Sequence, residues 1–428
     1  MSSNTVSFYT LGCRLNKAET AILYQQLSQA GYTVVDSYSE AEIVIVNTCT
    51  VTEHGDIDTR RIVNRIHREN DQARIALIGC QAQTQGEKLL HMPNVQWIIG
   101  NELKMDLAQI LRDHSDDGPQ VLIPDIKQAD FTIPVAGIDT KHTRANLKIQ
   151  DGCDYFCSYC EIPYARGRAR SRQFHDLLRE ARVLVSAGHR ELVLTGINIG
   201  LYAQDGKTIT DVISALEEIP DLERIRLSSI EATLVPGIVI EKMAMRGKVC
   251  RFLHMPLQSG SDRILRAMNR KHTVAEFDSR VQQAVDVVAG ICIGTDVIVG
   301  FPGETDADFQ KTYDYLESSP IAYFHVFSYS DRNHSKSRKL ADKVPRTRIA
   351  FRSGRLRELS KRKRRLYYEN QIGRVEDVLF EQNRGGFWNG LTDTYIRVRV
   401  RSDEDIGNRI IPVRLERVEN QAIIGRCQ

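Results

Sequence analysis

Residues 146–172 read NLKIQDGCDYFCSYCEIPYARGRARSR, a short strand-like run followed at once by Cys153, Cys157 and Cys160 in C-x3-C-x2-C spacing. Three is the informative number. A structural zinc site takes four protein ligands and leaves nothing open, whereas a four-iron cluster held by three cysteines keeps one iron free for a substrate or cofactor. Three idle thiols in a turn-rich loop would not need that spacing, nor Gly152 before it and the aromatic Tyr159 ahead of the last cysteine. The run marks an iron–sulfur site directly after a strand, and strand ends carry the chemistry in β/α barrels.

On either side of this run, strand-like segments alternate with helical ones. Asn146–Gln150, Glu191–Thr195, Arg224–Ser228, Arg251–Met255, Gly294–Val299 and Ala322–Phe327 give six strands in βα units, an incomplete barrel. The later strand ends carry LTGIN, LSSIE, HMPLQSG and VGFPGET, each with a polar residue suited to line one mouth: Asn198, Ser229, Glu231, Gln258 and Glu304. For any one of them alone, a turn or cap role is equally open.

Upstream, Cys13 in TLGCRLN, Cys49 in IVIVNTCTVT and Cys80 in ALIGCQAQ each follow an apolar run: Val6–Leu11, Ile43–Val46 and Ile75–Ile78. In an open parallel sheet the carboxyl ends of the strands share one edge, so three such cysteines can converge on a second cluster. Small core residues that happen to end strands remain the other reading. A helix over Lys17–Ala30 with Gly31 as its stop fits a parallel α/β domain over residues 1–138.

Downstream, Arg346–Tyr368 holds ten Lys or Arg residues against the single acid Glu358. Ile349, Leu356, Leu359 and Leu366 form a narrow apolar stripe, so this helix docks and presents Lys361, Arg362, Arg364 and Arg365 as candidate RNA phosphate contacts; a merely solvated face is the alternative. Residues 139–368 form the middle domain. Residues 369–428 read as short strands broken by GG, NG and a DED loop, a small all-β barrel; from Asn370 to Gln428 it has nine basic and nine acidic residues, so charge does not define its role.

A net charge of +3 over 428 residues does not by itself announce a nucleic-acid partner. No apolar run approaches the ~18 residues that would span a bilayer, and MSSNTVSFYT has no leader pattern, which points to no membrane partner and a cytoplasmic location. Nine cysteines, six of them in triads, fit metal thiolates in a reducing compartment better than a disulfide framework. Cys250, Cys292 and Cys427 read as packing residues.

Taken together, LGCRLN, NTCTVT, GCQAQ, DGCDYFCSYC, IPYARGRARSR, LTGINIG, HMPLQSGSDRILRAMNRKHT and GTDVIVGFPGETDADF resemble the methylthiotransferase branch of the radical S-adenosylmethionine (SAM) superfamily, over essentially the whole chain. NTCTVT and GCQAQ look closest to the bacterial enzymes acting on N6-threonylcarbamoyladenosine in tRNA. The resemblance implies an α/β N-terminal domain, a partial (β/α)6 radical SAM barrel and a TRAM-like β domain that grips RNA. It implies two 4Fe–4S clusters, an auxiliary one on Cys13, Cys49 and Cys80 and a SAM-cleaving one on Cys153, Cys157 and Cys160. Tyr159, Gly196, Asn198, Glu231, Gln258 and Glu304 become candidates for the SAM pocket. The implied partners are the tRNA anticodon stem-loop and an electron donor such as flavodoxin or ferredoxin.

In the implied reaction one SAM methylates a cluster-attached sulfur and another yields the radical that takes hydrogen from C2 of the adenine. The threonylcarbamoyl group asks for hydrogen bonds and positive charge, to which the run Arg166, Arg168 and Arg170 contributes unless it is engaged in salt bridges or phosphate contacts. Two features depart from the family pattern: Glu161 where relatives tend to be apolar, and SYSDRNHSKS without the prolines often found after the last barrel strand. Competing readings are the same chemistry on isopentenyladenosine or a ribosomal protein, and a non-enzymatic iron–sulfur carrier or RNA-binding protein.

Overall fold

Apolar residues on both faces make the first sheet parallel and fully covered. Its strands run in the order Thr33–Val34, Thr5–Thr10, Ile43–Thr48, Arg74–Gly79, Val95–Ile99 and Gln120–Leu122, every neighbouring pair parallel. Alternate residues feed two cores: Ile43, Ile45, Ala76 and Ile78 on one face, Val44, Val46, Ile75 and Leu77 on the other. Two-sided burial is why these strands read as unbroken apolar runs. The computed structural model describes residues 4–114, 117–138 and 143–428; residues 1–3 of the segment read for a leader and the start of the expected middle domain at 139 lie outside the described residues.

The second unit is the expected six-strand arc. Arg144–Lys148, Glu191–Thr195 and Arg224–Leu227 form one parallel sheet, and Phe252–His254, Cys292–Val299 and Tyr323–Ser328 another. Parallel bridges Ile225–Val249 and Ser229–His254 join them. Leu147, Leu192, Leu194, Ile225, Leu227, Leu253, Ile293 and Val297 pack outward against the surrounding helices. By strand alternation Asn146, Lys148, Thr195, Arg226, His254, Asp296 and His325 face inward. A lumen lined by polar side chains is a ligand cavity rather than the branched-aliphatic filling of a closed barrel.

Both ends of the arc are covered by helices from elsewhere in the chain. Arg346–Glu369 lies along the last strand, where the Ser360 hydroxyl donates to the Phe324 carbonyl (2.7 Å) and accepts from the Phe324 N–H (2.9 Å). That pair satisfies backbone groups an edge strand would otherwise leave open. Arg14–Gln29 lies against the first strand at the opposite end. It starts three residues before the expected Lys17, and Gly31 follows it at φ +90°, the conformation a C-terminal stop requires.

The tail closes into a five-stranded, TRAM-like barrel of Val375–Arg384, Phe387–Thr392, Arg397–Val400, Ala422–Cys427 and Ile410–Glu419. Asn389-Gly390, read from sequence as a break, lies inside a strand; a Cβ at Gly390 would come within 2.7 Å of the Leu379 carbonyl, so glycine serves a close strand approach there. This barrel seals the amino-terminal floor of the six-strand arc. Arg224 donates to the Leu391 (2.9 Å) and Asp377 (2.8 Å) carbonyls, Arg226 to those of Asp393 (2.8 Å) and Thr392 (3.1 Å). Arg251 pairs with Asp393 (2.6 Å) and Glu376 (2.7 Å), and Tyr395 packs on Phe252 with centroids 4.9 Å apart.

Candidate active site

Cys153, Cys157 and Cys160 lie in the loop between the first barrel strand and the short helix Ile162–Arg166. A turn closed by the Cys160 N–H on the Cys157 carbonyl (2.9 Å) holds the last two together. Arg270 reaches over them: it donates to Cys157 Sγ (3.5 Å), to the Glu231 carboxylate (2.5 Å) and to the Pro256 carbonyl (2.9 Å). Burial pushes the Cys153 thiol up to about 11 and raises Cys160 further. Thiols so placed ionise when a metal supplies the counter-charge, so the donor set fits an iron–sulfur group.

The expected SAM-pocket residues divide. Glu231 is tied to the triad through Arg270, and its N–H reaches the Asn198 side-chain carbonyl (3.4 Å). The N–H groups of Ile197 and Asn198 both donate to Gln150 Oε1 at 3.0 Å, with Gly196 packed on the same side chain. Asn198 Nδ2 and Gln258 Oε1 are buried without a partner among the described residues, and Gln258 holds φ +72°. Buried orphan polar atoms at a strand-end mouth await a ligand. Tyr159 packs beside Ile264, Met268 and Phe301, and burial raises its hydroxyl. Glu304 is turned elsewhere, accepting from the Gly300 N–H (2.8 Å) and Arg352 (2.5 Å) and so anchoring the basic helix.

The first triad stands at the carboxyl ends of three adjacent strands, Thr5–Thr10, Ile43–Thr48 and Arg74–Gly79. Burial first, and then the charge of the neighbouring thiols, raises Cys13 and Cys49, the latter to about 12. Gly12, at φ +87°, permits the approach: a Cβ there would lie 2.7 Å from Cys49 Cβ. Arg166 Nε donates to Cys80 Sγ at 3.1 Å. This donor set also fits an iron–sulfur group.

Arg166 is the joint between the two triads. It ends the helix that follows the second triad, is fully buried, and donates to Asn16 (2.7 Å), Glu19 (3.0 and 3.1 Å) and Asp151 (3.0 and 3.2 Å) besides Cys80. Lys104 (2.5 Å) and Lys148 (2.8 Å) also meet Glu19, and Lys148 meets Asp151 (2.7 Å). Three cations against two carboxylates leave an excess positive charge beside thiols that become thiolates on metal binding. For Arg166, then, the salt-bridge alternative is the one realised. Arg168 is exposed and 3.6 Å from Asp154; Arg170 contacts Glu102 at 3.3 Å.

The two departures from the family pattern meet each other. Glu161, buried, accepts from the His334 ring nitrogen (2.6 Å) and backbone N–H (3.2 Å), and the His334 ring stacks on Tyr164. Arg332 in the same loop donates to Thr50 (2.7 Å) and Asp56 (2.9 Å) beside Cys49. The proline-poor segment is thus fastened to both triads by side chains. Neither Arg270 nor this pairing was found from sequence; a lone arginine in MNRKHT and a lone acid after Cys160 carry no sign of their partners.

On the basic helix, Lys361 pairs with Glu358 (2.8 Å), Arg362 with Glu317 (2.5 Å) and Arg365 with Glu369 (2.8 Å), all exposed. Arg364 lies 4.6 Å over the Tyr323 ring. Leu356 and Leu359 are buried, but Leu366, expected in the same stripe, is 56% exposed. Near its end the helix leaves the arc for the tail barrel, and Tyr368 enters that core instead.

Residues 5–100 match the family described as uncharacterized protein family UPF0004, and residues 147–316 match the radical SAM superfamily, whose members use a 4Fe–4S cluster and SAM. The chain is 34% identical to the threonylcarbamoyladenosine tRNA methylthiotransferase MtaB of Bacillus subtilis, covering 96% of this chain and 93% of that one. It is equally identical, 34%, to the protein of that name from Aquifex aeolicus (95% and 98% covered). It is 31% identical to the tRNA-2-methylthio-N(6)-dimethylallyladenosine synthase of Acetivibrio thermocellus (97% and 89%). Among solved structures, the radical SAM methyltransferase TsrM of Kitasatospora setae aligns with a TM-score of 0.55 at 17% identity, covering 76% of this chain and 75% of that one, a likeness of fold.

Proposed function

The chain belongs to the radical SAM methylthiotransferases, and from that premise we propose that it converts N6-threonylcarbamoyladenosine at position 37 of tRNA into its 2-methylthio derivative. The observation that carries the reading is the pair of thiol triads held to either side of the helix Ile162–Arg166. When bound, a 4Fe–4S cluster on Cys153, Cys157 and Cys160 supplies the electron that cleaves SAM, and a second on Cys13, Cys49 and Cys80 carries the sulfur to be inserted.

The chain's own groups position and balance these partners. Arg270 and Arg166 each place a permanent positive charge against a ligand sulfur. Glu231, Asn198, Gln258, Gly196 and Tyr159 line the SAM side of the mouth, with Glu304 bracing the turn at Gly300. The polar lumen receives the base, while Lys361, Arg362, Arg364 and Arg365 take phosphates of the anticodon stem-loop. A small electron-transfer protein such as flavodoxin or ferredoxin supplies electrons. A tRNA substrate places the work in the cytoplasm, and no helix among the described residues is long and apolar enough to cross a membrane.

Anaerobic reconstitution tests the assignment. The wild type is expected to hold about eight irons per chain. Replacing Cys153, Cys157 and Cys160 by Ala is expected to halve the iron and abolish SAM cleavage. Replacing Cys13, Cys49 and Cys80 by Ala is expected to halve the iron, leave reductive SAM cleavage detectable and insert no sulfur into tRNA. Full iron in either variant overturns the corresponding ligand set.

A further inference from the structure

A cavity of about 420 Å³ opens between the helix Arg14–Gln29, the first two barrel strands and the floor residue Tyr395. Asn146 and Val193 bring it to the lumen, and Arg14, the residue after Cys13, brings it to the first triad. It is of the size that encloses a small ligand group. Its charged lining is three cations, Arg14, Lys17 and Arg144, against one acid, Glu381.

That acid is already engaged. Arg144 Nε meets Glu381 at 2.8 Å. Half-buried Arg14 has a neutral partner, donating to the Tyr395 hydroxyl at 2.7 Å with its guanidinium 5.5 Å over the same ring. Lys17, one turn further along the helix, has no carboxylate within ion-pair distance among the described residues. Two cations, half-buried Arg14 and exposed Lys17, thus share one concave site without a protein counter-charge, and a ligand anion seated there would pair with both. Around them stand neutral hydrogen-bonding groups: the Thr10 and Thr20 hydroxyls, 2.8 Å apart, the Asn146 amide and the Tyr395 hydroxyl.

We propose that this cavity is the subsite for the anionic N6 substituent of the modified adenosine, with Arg14 and Lys17 as partners of its carboxylate and the neutral groups as partners of its hydroxyl and urea-like linkage. The proposal rests on the tRNA reading given above and names the residues that would enforce it. A dimethylallyl substituent in the same place would desolvate both cations and several hydrogen-bonding groups without replacing their partners, the type of mismatch that discriminates strongly. Backbone phosphate offers the same anionic chemistry. The cavity adjoins a second one of about 570 Å³ that shares Lys17 and Arg144 and is lined by Arg384, Arg397 and Arg399 of the tail barrel. That outer groove carries five cations, Lys17, Arg144, Arg384, Arg397 and Arg399, against Glu381 and Glu419, a charge suited to the RNA backbone, whereas the inner cavity opens on the lumen that receives the base.

The test uses reconstituted full-length protein and three anticodon stem-loop RNAs alike except at position 37: threonylcarbamoyladenosine, dimethylallyladenosine and unmodified adenosine. Binding is read by fluorescence anisotropy and turnover by nucleoside mass spectrometry. Arg14→Gln is expected to weaken the threonylcarbamoyl RNA by about tenfold or more, to raise its KM, and to leave the unmodified RNA bound as in the wild type, whereas Lys17→Gln, which also faces the outer groove, is expected to weaken the threonylcarbamoyl RNA several-fold more than the unmodified RNA. Equal weakening of all three RNAs would assign these residues to backbone phosphate and overturn the subsite, as would unchanged binding of the threonylcarbamoyl RNA. Iron content is measured alongside; should Arg14→Gln, next to Cys13, lose iron, Lys17→Gln decides. A wild type that turns over the dimethylallyl RNA in preference overturns the substrate reading itself, a failure visible without any variant.

Discussion

At the scale of single residues, Arg166 does what no spacing could announce. The cysteines were legible because metal ligands recur at fixed intervals, and a triad after a strand has few other uses. Arg166 was legible only as one of three arginines; Glu19, Asn16 and Cys80 come from the other domain, as many as 150 residues away. Removing one partner of a buried charge network strands the others, so Arg166→Met is expected to lower stability by about 3–5 kcal/mol in a denaturant titration. Arg166→Lys should not restore it, since one ammonium cannot reach four partners in a planar fork. Its neighbours set a pH dependence. Charge pairing with Arg166 and the lysines outweighs burial and holds Glu19 and Asp151 below the usual carboxylate range. The unfolded chain, with carboxyls near ~4, then takes up protons first as the pH drops. The network's contribution is therefore complete above about pH 4 and lost as the pH falls through the lower, folded values. Glu19→Gln is expected to lower Tm at neutral pH and to flatten its fall below about pH 4; parallel Tm curves for variant and wild type would count against it. Glu161 and His334 teach the same lesson: the acid and the proline-poor segment that holds His334 stood out in sequence, but 173 residues hide their pairing.

At the scale of elements, periodicity served strands well and the long helix less completely. Every barrel strand was placed to within a few residues, because an outward apolar face alternating with an inward polar one gives the period of two that marks a strand, while the first sheet, buried on both faces, reads as unbroken apolar runs. In the helix Arg346–Glu369 the stripe held through Leu359 and failed at Leu366, where the packing partner changes from the arc to the tail barrel. A change of partner along one helix leaves no mark on its hydrophobic period. The helix's outer charges are engaged only in exposed pairs worth ~0–1 kcal/mol, which a phosphate can displace. Reversing Lys361, Arg362 and Arg365 to Glu is thus expected to weaken tRNA binding and to flatten its log–log salt dependence by roughly one unit for each phosphate no longer neutralised. An unchanged slope would make this face solvated surface. Arg364 belongs in a separate variant, because its stacking on Tyr323 mixes packing with charge.

At the scale of the whole molecule, the tail barrel is a structural part of the catalytic unit. Its nine acids and nine bases looked uninformative as a sum, since a balanced total conceals which charges are buried against another domain. Asp393 and Glu376 close the floor by holding Arg251, itself 5% exposed, while the carbonyls of Leu391, Thr392 and Asp393 receive Arg224 and Arg226. Arg224 begins one strand, with Arg226 two residues along it, and Arg251 immediately precedes another; the far ends of both form the mouth, so a loosened floor is transmitted along the strands to the site. Asp393→Ala leaves Arg251 with Glu376 alone in a poorly solvated place, at an expected cost of about 3 kcal/mol, the low end for a broken buried pair because Asp393 is 22% exposed. Since the floor contacts bind the two barrels together, the wild type is expected to melt both in one calorimetric transition and the variant to melt at a lower temperature. Truncation after Asn370 should go further and impair iron incorporation at Cys153, Cys157 and Cys160, beyond any loss of RNA affinity. A truncated chain that takes up wild-type iron and melts at the wild-type temperature would show that the tail barrel is an RNA-binding appendage with no share in holding the arc together.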